Sequence, residues 1–415
     1  MIKRLRKSLG LAKQSTSNSM TLNINHFFYD SAQQNSLIIF DDFLPNLLGS
    51  WRCAEIVTYL KKIPDSLLVC LLNSYETKGV LRYQDIETDK IKFIKKYGSQ
   101  ISIDSITLIN QPEKININTR LAYCLFYNNL LQIYPLLNFH KIPFAFTLYP
   151  GGGFKLYDKN CESFLTEIKN TPLFKGVFVT QQSVYDYILE RLNFDPAKVK
   201  FIYGSPMEIE NYSVTTEKKY YKAGKDTLDI CFVAAKYSRF GIDKGFEIFC
   251  KVASYLSKLY SFIRFHVVGG FSAEDMIYPV EETSIFFYGY RYFDWFKEFY
   301  MDIDFILSPV KSNILGVGSF DGFPTAAVIE AGLFGAAMMT ADPTGDNICP
   351  GFKDDSDFFY IESNPYSIIT KITLLLNNPY AIRNVALAGN KKLTSLFNTN
   401  MQVAPRIEFI NAMIK

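Results

Sequence analysis

Short apolar runs rich in Ile, Val, Leu and Phe alternate with longer segments of helical periodicity along most of this chain. Continuous apolar strands are buried on both faces, as happens when helices cover both sides of a parallel sheet. The pattern therefore predicts an α/β fold. The strands predicted in the first half are Ser36–Phe40, Leu67–Leu72, Ile106–Ile109, Phe144–Leu148, Gly176–Val179 and Val199–Tyr203, with helices such as Trp51–Lys61 and Ser183–Leu192 between them.

The alternation stops between Gly204 and Lys225, where the chain is polar and has no apolar period. Such a stretch is typical of a linker between two domains. Six further strands are predicted beyond it, at Asp229–Ala234, Phe262–Val268, Ser284–Tyr288, Phe305–Ser308, Ala336–Thr340 and Phe358–Ile361, with helices at Phe246–Leu259 and Ala326–Phe334. After residue 364 we expect helices to the end, broken near Pro379 and Pro405.

Composition argues against several classes of protein. Lys plus Arg number 44 and Asp plus Glu 41, a balance without the basic excess of a duplex nucleic-acid binder. The seven cysteines form no C-x-x-C pair and only three histidines occur, so neither a disulfide framework nor a zinc site is expected. The sequence shows no apolar run long enough to span a membrane and no signal-peptide pattern. We therefore expect a cytoplasmic protein without a bound metal.

Two basic segments leave membrane contact open. The first 29 residues contain no acid and interleave Lys and Arg with Ile and Leu, so a helix there would suit an anionic leaflet. A solvated tail is the alternative. Four lysines at positions 90, 92, 95 and 96 alternate with apolar residues, which is consistent with a membrane-facing patch or with a helix face in water.

The most informative stretch runs from Ser319 to Gly332. A loop punctuated by Gly and Pro opens a helix of small residues, and the free amides at a helix start favour phosphate. Glu330 falls on the first turns of that helix, where a carboxylate can accept paired hydrogen bonds from vicinal hydroxyls. The alternative is an ordinary helix start with a surface glutamate.

This stretch resembles the donor-binding signature of retaining GT-B glycosyltransferases of family 4. The signature comprises an acid, a Gly-aromatic-Gly/Pro step and a second glutamate followed by Ala, similar here to Asp321-Gly322-Phe323-Pro324-Thr325 and Glu330-Ala331. Further segments similar to the family's occur in the same order, at Cys231–Ala234, Asp243-Lys244-Gly245, Phe265–Gly270, Phe286–Tyr290 and Ile303–Pro309. The order and spacing of these segments carry the resemblance.

The resemblance implies a GT-B fold, in which two Rossmann-like doubly wound domains face a cleft. After a basic segment at 1–30, residues 31–210 would form the acceptor domain, 225–390 the nucleotide-sugar donor domain, and 391–415 helices that pack back toward the first. It implies a retaining transfer from a nucleotide-sugar to a hydroxyl of a glycan or lipid-linked acceptor, without a metal or a cofactor beyond the donor. The expected setting is bacterial lipopolysaccharide or capsule assembly, at the inner face of the cytoplasmic membrane.

The resemblance also assigns roles to residues. Glu330 would bind the ribose, and Lys244 with either Arg239 or Lys236 would neutralise the diphosphate. The family's two acids usually stand one position closer together than Asp321 and Glu330 do, so either the loop has an insertion and Asp321 still faces the sugar, or the first acid is lost. The remaining donor-binding positions are Gly322, Phe323, Pro324, Thr325, Gly269, Gly49 and Ser50, the last two in a loop after the first strand.

A glycine-rich loop and a D-x-D motif are further candidate sites. Tyr149-Pro150-Gly151-Gly152-Gly153 follows a predicted strand, and its glycines permit an anion nest, close approach of a sugar, or a turn without a ligand. Relatives often carry a histidine near this loop. Its absence and the altered acid spacing leave open a non-catalytic glycosyltransferase-like subunit that binds a partner. Asp302-Ile303-Asp304 has the form of a metal-binding D-x-D, but Asp304 opens a buried strand and we expect no metal there.

Overall fold

The computed structural model describes residues 24–25, 29–30, 34–45, 50–71, 86–109, 115–215, 217–348 and 350–415. Within these residues the chain forms two α/β halves, each built around a parallel β-sheet. Helices and loops cover both faces of each sheet.

The first sheet has its earliest long strand near the middle. Its strand order is β1-β5-β4-β3-β7-β8-β9-β10, so the order reverses between β3 and β7. A small separate sheet pairs β2 with β6. The strands of this half are β1 Ile24–Asn25, β2 Tyr29–Asp30, β3 Asn35–Asp41, β4 Ser66–Leu71, β5 Ile106–Ile109, β6 Ile115–Asn116, β7 Thr119–Leu125, β8 Phe144–Leu148, β9 Phe174–Val179 and β10 Val199–Phe201.

The second sheet repeats this plan. Its order is β15-β14-β13-β16-β17-β18, with the reversal between β13 and β16. This is the doubly wound order of Rossmann-like domains. The remaining strands are a short ribbon of β11 Tyr220–Tyr221 and β12 Gly224–Lys225, followed by β13 Leu228–Ala234, β14 Ile263–Gly269, β15 Ile285–Phe287, β16 Phe305–Ser308, β17 Ala337–Thr340 and β18 Phe359–Tyr360.

Helices connect the strands and close the chain. In order they are α1 Ser50–Lys62, α2 Ile86–Tyr97, α3 Tyr127–His140, α4 Lys159–Asn170, α5 Gln182–Asp186, α6 Phe246–Leu259, α7 Phe293–Phe299, α8 Ala326–Leu333, α9 Pro365–Leu376, α10 Pro379–Phe397, α11 Thr399–Gln402 and α12 Ala404–Ile414. A π-helical turn, Tyr187–Arg191, continues α5.

Successive residues of the central strands enter different hydrophobic cores. In β3, Ile38 and Phe40 pack in the core on one face of the sheet, whereas Leu37 and Ile39 pack in the core on the other. Side chains alternate across a strand, so a strand buried on both faces must be apolar at every position. This requirement explains the continuous apolar runs seen in the sequence.

The predicted strands and helices are present in the structure, with ends that shift by up to two residues. Strand β7, Thr119–Leu125, was not predicted, although it pairs with β3 next to the point of reversal. The last helix, α12, contacts the first sheet: the ring of Phe409 packs edge-on against Phe178 at 5.1 Å, and Met413 lies against Gly176.

Candidate functional site

The carboxyl ends of the first sheet meet one loop of the second half. That loop, residues 321–325, lies between β16 and α8. The Phe323 amide donates to Gln181 Oε1 at 3.0 Å, and its carbonyl accepts from the Tyr203 hydroxyl at 2.5 Å. A Cβ on Gly322 would lie 3.0 Å from Pro150 Cγ. Residues that follow β8, β9 and β10 thus contact the loop that carries Asp321.

Lys244 and Asp321 form an ion pair beside this contact. The Lys244 Nζ lies 2.7 Å and 2.6 Å from the two carboxylate oxygens of Asp321. Lys244 lies in the connection after β13 and Asp321 in the connection after β16, so the pair flanks the reversal point of the second sheet. Ligands of doubly wound sheets bind in the crevice at this point.

Backbone geometry fixes Lys244 in place. The next residue, Gly245, has φ +72°, and a Cβ there would lie 2.0 Å from the Pro309 carbonyl oxygen, so a side chain would be excluded. Lys244 itself is buried. Burial lowers the pKa of its ammonium, but Asp321 and Tyr237 more than offset this, so the pKa lies above its ordinary value. Lys244 is therefore a fixed cation near neutral pH.

The two other predicted cations differ in their surroundings. Lys236 forms an ion pair with Asp275. Arg239 is exposed, and its guanidinium lies 4.7 Å from the centroid of the neighbouring Phe240 ring. The structure thus brings Lys244 to Asp321, while Lys236 is engaged elsewhere and Arg239 is open to solvent.

Glu330 lies on the second turn of α8 and is half-buried. Its Oε1 lies 3.4 Å from the hydroxyl of Tyr212, a residue of the segment that joins the two halves. Thr325 stands at the N-cap of α8 and accepts the Ile329 amide through its carbonyl at 3.0 Å. The helix therefore starts directly after the loop that meets the first half.

Three further residues that the sequence predicted to bind the donor have structural contacts. Phe323 is buried, and its ring packs edge-on against Phe352 and Phe358. Pro324 is buried beside it. Gly269 has φ +129° at the end of β14, and a Cβ there would lie 1.9 Å from the Ala234 carbonyl oxygen. Gly269 therefore lets the ends of β13 and β14 approach each other.

The predicted glycine loop of the first half lies mostly outside the described residues. Gly49 is not among them, and Ser50 begins α1. The basic segment at 1–30 is described only at β1 and β2.

An acidic pair at the reversal point of the first sheet was not predicted. Asp41 ends β3 and Asp42 follows it, and the Arg52 guanidinium lies 3.2 Å and 2.8 Å from their carboxylates. Burial raises the pKa of Asp41 to about 6, even though Arg52 lowers it. The available signal was two adjacent acids directly after the first long strand, the position where ligands of such sheets bind.

The glycine loop after β8 has one open side. Gly151 has φ +77°, and a Cβ there would meet no described atom within 4 Å. Gly152 and Gly153 lie close to Phe126 and Asn128, so side chains would collide there. Tyr149, the first residue of the predicted loop, is buried and donates its hydroxyl to Glu55.

The lysines on α2 contact the protein itself. Lys90 pairs with Glu87, the Lys92 Nζ lies 3.3 Å from the centroid of the Tyr292 ring, and Lys96 pairs with Glu208 at 3.0 Å. Three of the four lysines thus have partners within the protein, and membrane contact by this helix stays a prediction. Lys95 is exposed.

The D-x-D motif has a structural use. Asp304 is fully buried, accepts the Tyr221 and Asp229 amides at 2.6 Å and 2.8 Å, and pairs with Lys225 at 2.7 Å. Among the described residues, no group of three or more His, Cys, Asp or Glu side chains is placed to hold a metal ion. In the same part of the chain, no helix is long and apolar enough to cross a membrane.

Comparison with known proteins places the fold. No protein-family model and no curated protein sequence matches this chain. Solved structures do match. HepE from Anabaena, in complex with UDP and glucose, has a TM-score of 0.64 and 12% identity over 91% of this chain and 99% of HepE. A glycosyltransferase from Rickettsia africae ESF-5 has a TM-score of 0.61 and 16% identity, over 92% of this chain and 100% of that protein.

Two further matches differ in extent. Sucrose-phosphate synthase from Thermosynechococcus elongatus has a TM-score of 0.60 and 12% identity, over 92% of this chain and 99% of the synthase. TarM has a TM-score of 0.52 and 16% identity, over 71% of this chain, which spans about 55% of TarM. The chain therefore has the GT-B fold of these glycosyltransferase structures, as the sequence predicted.

Proposed function

We propose that this protein is a glycosyltransferase that moves a sugar from a nucleotide-sugar to a hydroxyl acceptor with retention of configuration, as family 4 enzymes do. The observation that carries the proposal is the bidentate contact between Lys244 and Asp321 at the reversal point of the second sheet. A buried, fixed cation at this point suits a diphosphate. Glu330, on the helix that follows Asp321, suits the ribose hydroxyls.

Asp321 would change partners when the donor binds. The diphosphate would take the place of the Asp321 carboxylate beside Lys244, and the released carboxylate would face the sugar. The contact with Lys244 supports the reading in which the loop has gained one residue and has kept its first acid. Arg239 is the better second cation, because Lys236 is paired with Asp275.

In the reaction, the acceptor oxygen bonds to the anomeric carbon, and the bond from that carbon to the diphosphate breaks. The proton of the acceptor hydroxyl passes to the departing diphosphate, which leaves as the nucleoside diphosphate. Negative charge grows on the departing diphosphate, so a preorganised ammonium and the amides at the start of α8 stabilise the transition state more than the ground state. The contacts of Gln181 and Tyr203 with Phe323 would hold the two halves together around the donor and so limit attack by water.

The donor nucleotide, the domain roles, the acceptor and the cellular setting are proposed from the family resemblance and from the matching solved structures. UDP and glucose are bound in HepE, so UDP is the first nucleotide to test here. We propose residues 31–210 as the acceptor domain, 225–390 as the donor domain and 391–415 as helices that pack on the first. A glycan or lipid-linked acceptor, lipopolysaccharide or capsule synthesis, and a peripheral place on the inner membrane face belong to the same proposal.

A binding screen tests the proposal. Thermal unfolding is followed with UDP, GDP, ADP, CMP and dTDP, and the best ligand is titrated calorimetrically. We expect one nucleotide to stabilise the protein, since a ligand at one hundred times its Kd adds about 2.7 kcal/mol. Glu330→Gln should weaken that ligand about tenfold or more, whereas Glu282→Gln, at an exposed glutamate before β15, should not. Failure of every nucleotide to bind at millimolar concentration would refute the proposal.

A further inference from the structure

A buried carboxylate lies beneath the glycine loop, outside the proposed donor site. Glu55, on α1, is fully buried and accepts three phenol hydroxyls. They come from Tyr59 at 2.8 Å, Tyr123 at 3.1 Å and Tyr149 at 2.6 Å. These residues and Arg406 are called the Glu55 cluster below. Its members come from α1, β7, the end of β8 and α12.

Arg406 supplies the opposite charge. It is fully buried on α12; burial lowers the pKa of its guanidinium, but the neighbouring Tyr149, Tyr59 and Glu55 more than offset this and raise it. It donates to the Gln402 carbonyl at 2.6 Å and to the Gly204 carbonyl at 2.9 Å. A buried carboxylate needs such a counter-charge. Gly204 starts the segment that leads to the second half, so the cluster is joined to the place where the chain crosses over.

Tyr149 connects the Glu55 cluster to the loop that carries Asp321. Its ring packs against Trp51 at 4.7 Å and Phe126 at 5.1 Å, and its hydroxyl is held by Glu55. The next residue, Pro150, is the one that contacts Gly322. Since Gly322 directly follows Asp321, the position of Tyr149 bears on where Asp321 lies relative to Lys244.

We propose that Glu55 is a positioning residue for the transfer reaction. Its bond to Tyr149 holds Pro150 against Gly322 and so fixes the loop that carries Asp321 where the donor would bind. The role rests on the proposed function, because it concerns the rate of that reaction. Tyr59 and Tyr123 bond the same carboxylate but lie away from the glycine loop, so they share in the stability of the cluster and not in this role.

The three tyrosines provide a matched experiment. Tyr149→Phe and Tyr59→Phe each remove one hydroxyl from the same carboxylate and should lower the unfolding midpoint by similar amounts. With UDP-glucose as the first donor, or the sugar of whichever nucleotide binds, Tyr149→Phe should lower kcat for donor turnover tenfold or more and leave the donor KM within twofold. Tyr59→Phe should leave both within twofold. Glu55→Gln should reproduce the loss in kcat if it folds.

A second measurement needs no activity. Hydrogen exchange of the backbone amides of Asn128 and Phe154 reports how firmly the loop is held, since Phe154 donates to the Gly151 carbonyl at 3.1 Å and Asn128 to the Gly152 carbonyl at 3.0 Å. We expect exchange at least tenfold faster in Tyr149→Phe than in Tyr59→Phe. Equal exchange in the two variants would overturn the inference. Absence of turnover in the wild type would count against the proposed function. Hydrogen exchange would still test whether the bond from Tyr149 to Glu55 holds the glycine loop.

Discussion

Removing either partner of the Lys244–Asp321 pair should destabilise the protein, but by unequal amounts. The Lys244 side chain is 11% exposed and the Asp321 side chain 25% exposed. Asp321→Asn leaves an almost buried ammonium whose remaining carboxylate neighbour is Asp243, at 3.8 Å. Lys244→Met leaves a carboxylate that water can reach. The first change should therefore cost more than the second.

The magnitudes follow from burial. Breaking a buried ion pair by removing one partner costs about 3–5 kcal/mol, because the other charge is left uncompensated. Asp321→Asn comes near this case, so we expect a loss of about 3 kcal/mol in the free energy of unfolding. Surface pairs contribute about 0–1 kcal/mol. Lys244→Met should lie closer to that limit, at about 1 kcal/mol, since the remaining carboxylate can be solvated.

The assay is urea unfolding of both variants with and without UDP, or whichever nucleotide the binding screen selects. The diphosphate supplies a new anion to Lys244, so Asp321→Asn should regain as much stability from the nucleotide as the wild type does, or more. Lys244→Met should regain little. Lys371, on α9, forms an ion pair with Asp354 and provides the control. Lys371→Met should leave the stabilisation by the nucleotide unchanged.

Two results would refute this reasoning. Equal losses for Asp321→Asn and Lys244→Met would mean that burial does not govern the cost of the unpaired charge. Equal stabilisation of both variants by the nucleotide would mean that Lys244 does not face the diphosphate.

Two further predictions concern Asp41 and Gly322. The native pKa of Asp41, about 6, lies above its ordinary 3.8, so the stability from this group is full below pH 4 and is lost as the pH rises through 6. The free energy of unfolding of the wild type minus that of Asp41→Asn should therefore fall by about 2 kcal/mol between pH 4 and pH 7, and a flat difference in urea unfolding would contradict this. Gly322→Ala would bring a Cβ 3.0 Å from Pro150 Cγ and 3.3 Å from Gln181 Nε2. It should separate the loops and lower kcat about tenfold, and an unchanged kcat would count against the contact.

The sheets were predictable because their physical cause is local. Strand β3 is apolar on both faces, and that pattern is visible without a partner strand. Strand β7 was missed because Thr119 and Arg120 open it, and its apolar part, Leu121–Leu125, also fits a buried helix. A run of five apolar residues does not show which strands lie beside it in the sheet.

The site was predictable only in part. The meeting of Lys244 and Asp321 follows from their places after two strands of one parallel sheet, together with the family resemblance. The Glu55 cluster had no such signal, since its members are widely separated in sequence and come together only through packing. Likewise, the sequence alone could not choose between Lys236 and Arg239, because the partner of Lys236, Asp275, comes from another connection.

The side chain and the backbone of Phe323 make contacts in different halves of the protein. Its ring belongs to the interior of the second half, whereas its amide and carbonyl bond Gln181 and Tyr203 of the first. Drift at this position toward another bulky apolar residue would therefore repack one interior and leave the bridge to the other half intact. Replacing Gln181 or Tyr203 would remove one of these two hydrogen bonds between the halves. Substitution should therefore be tolerated better at position 323 than at position 181 or 203.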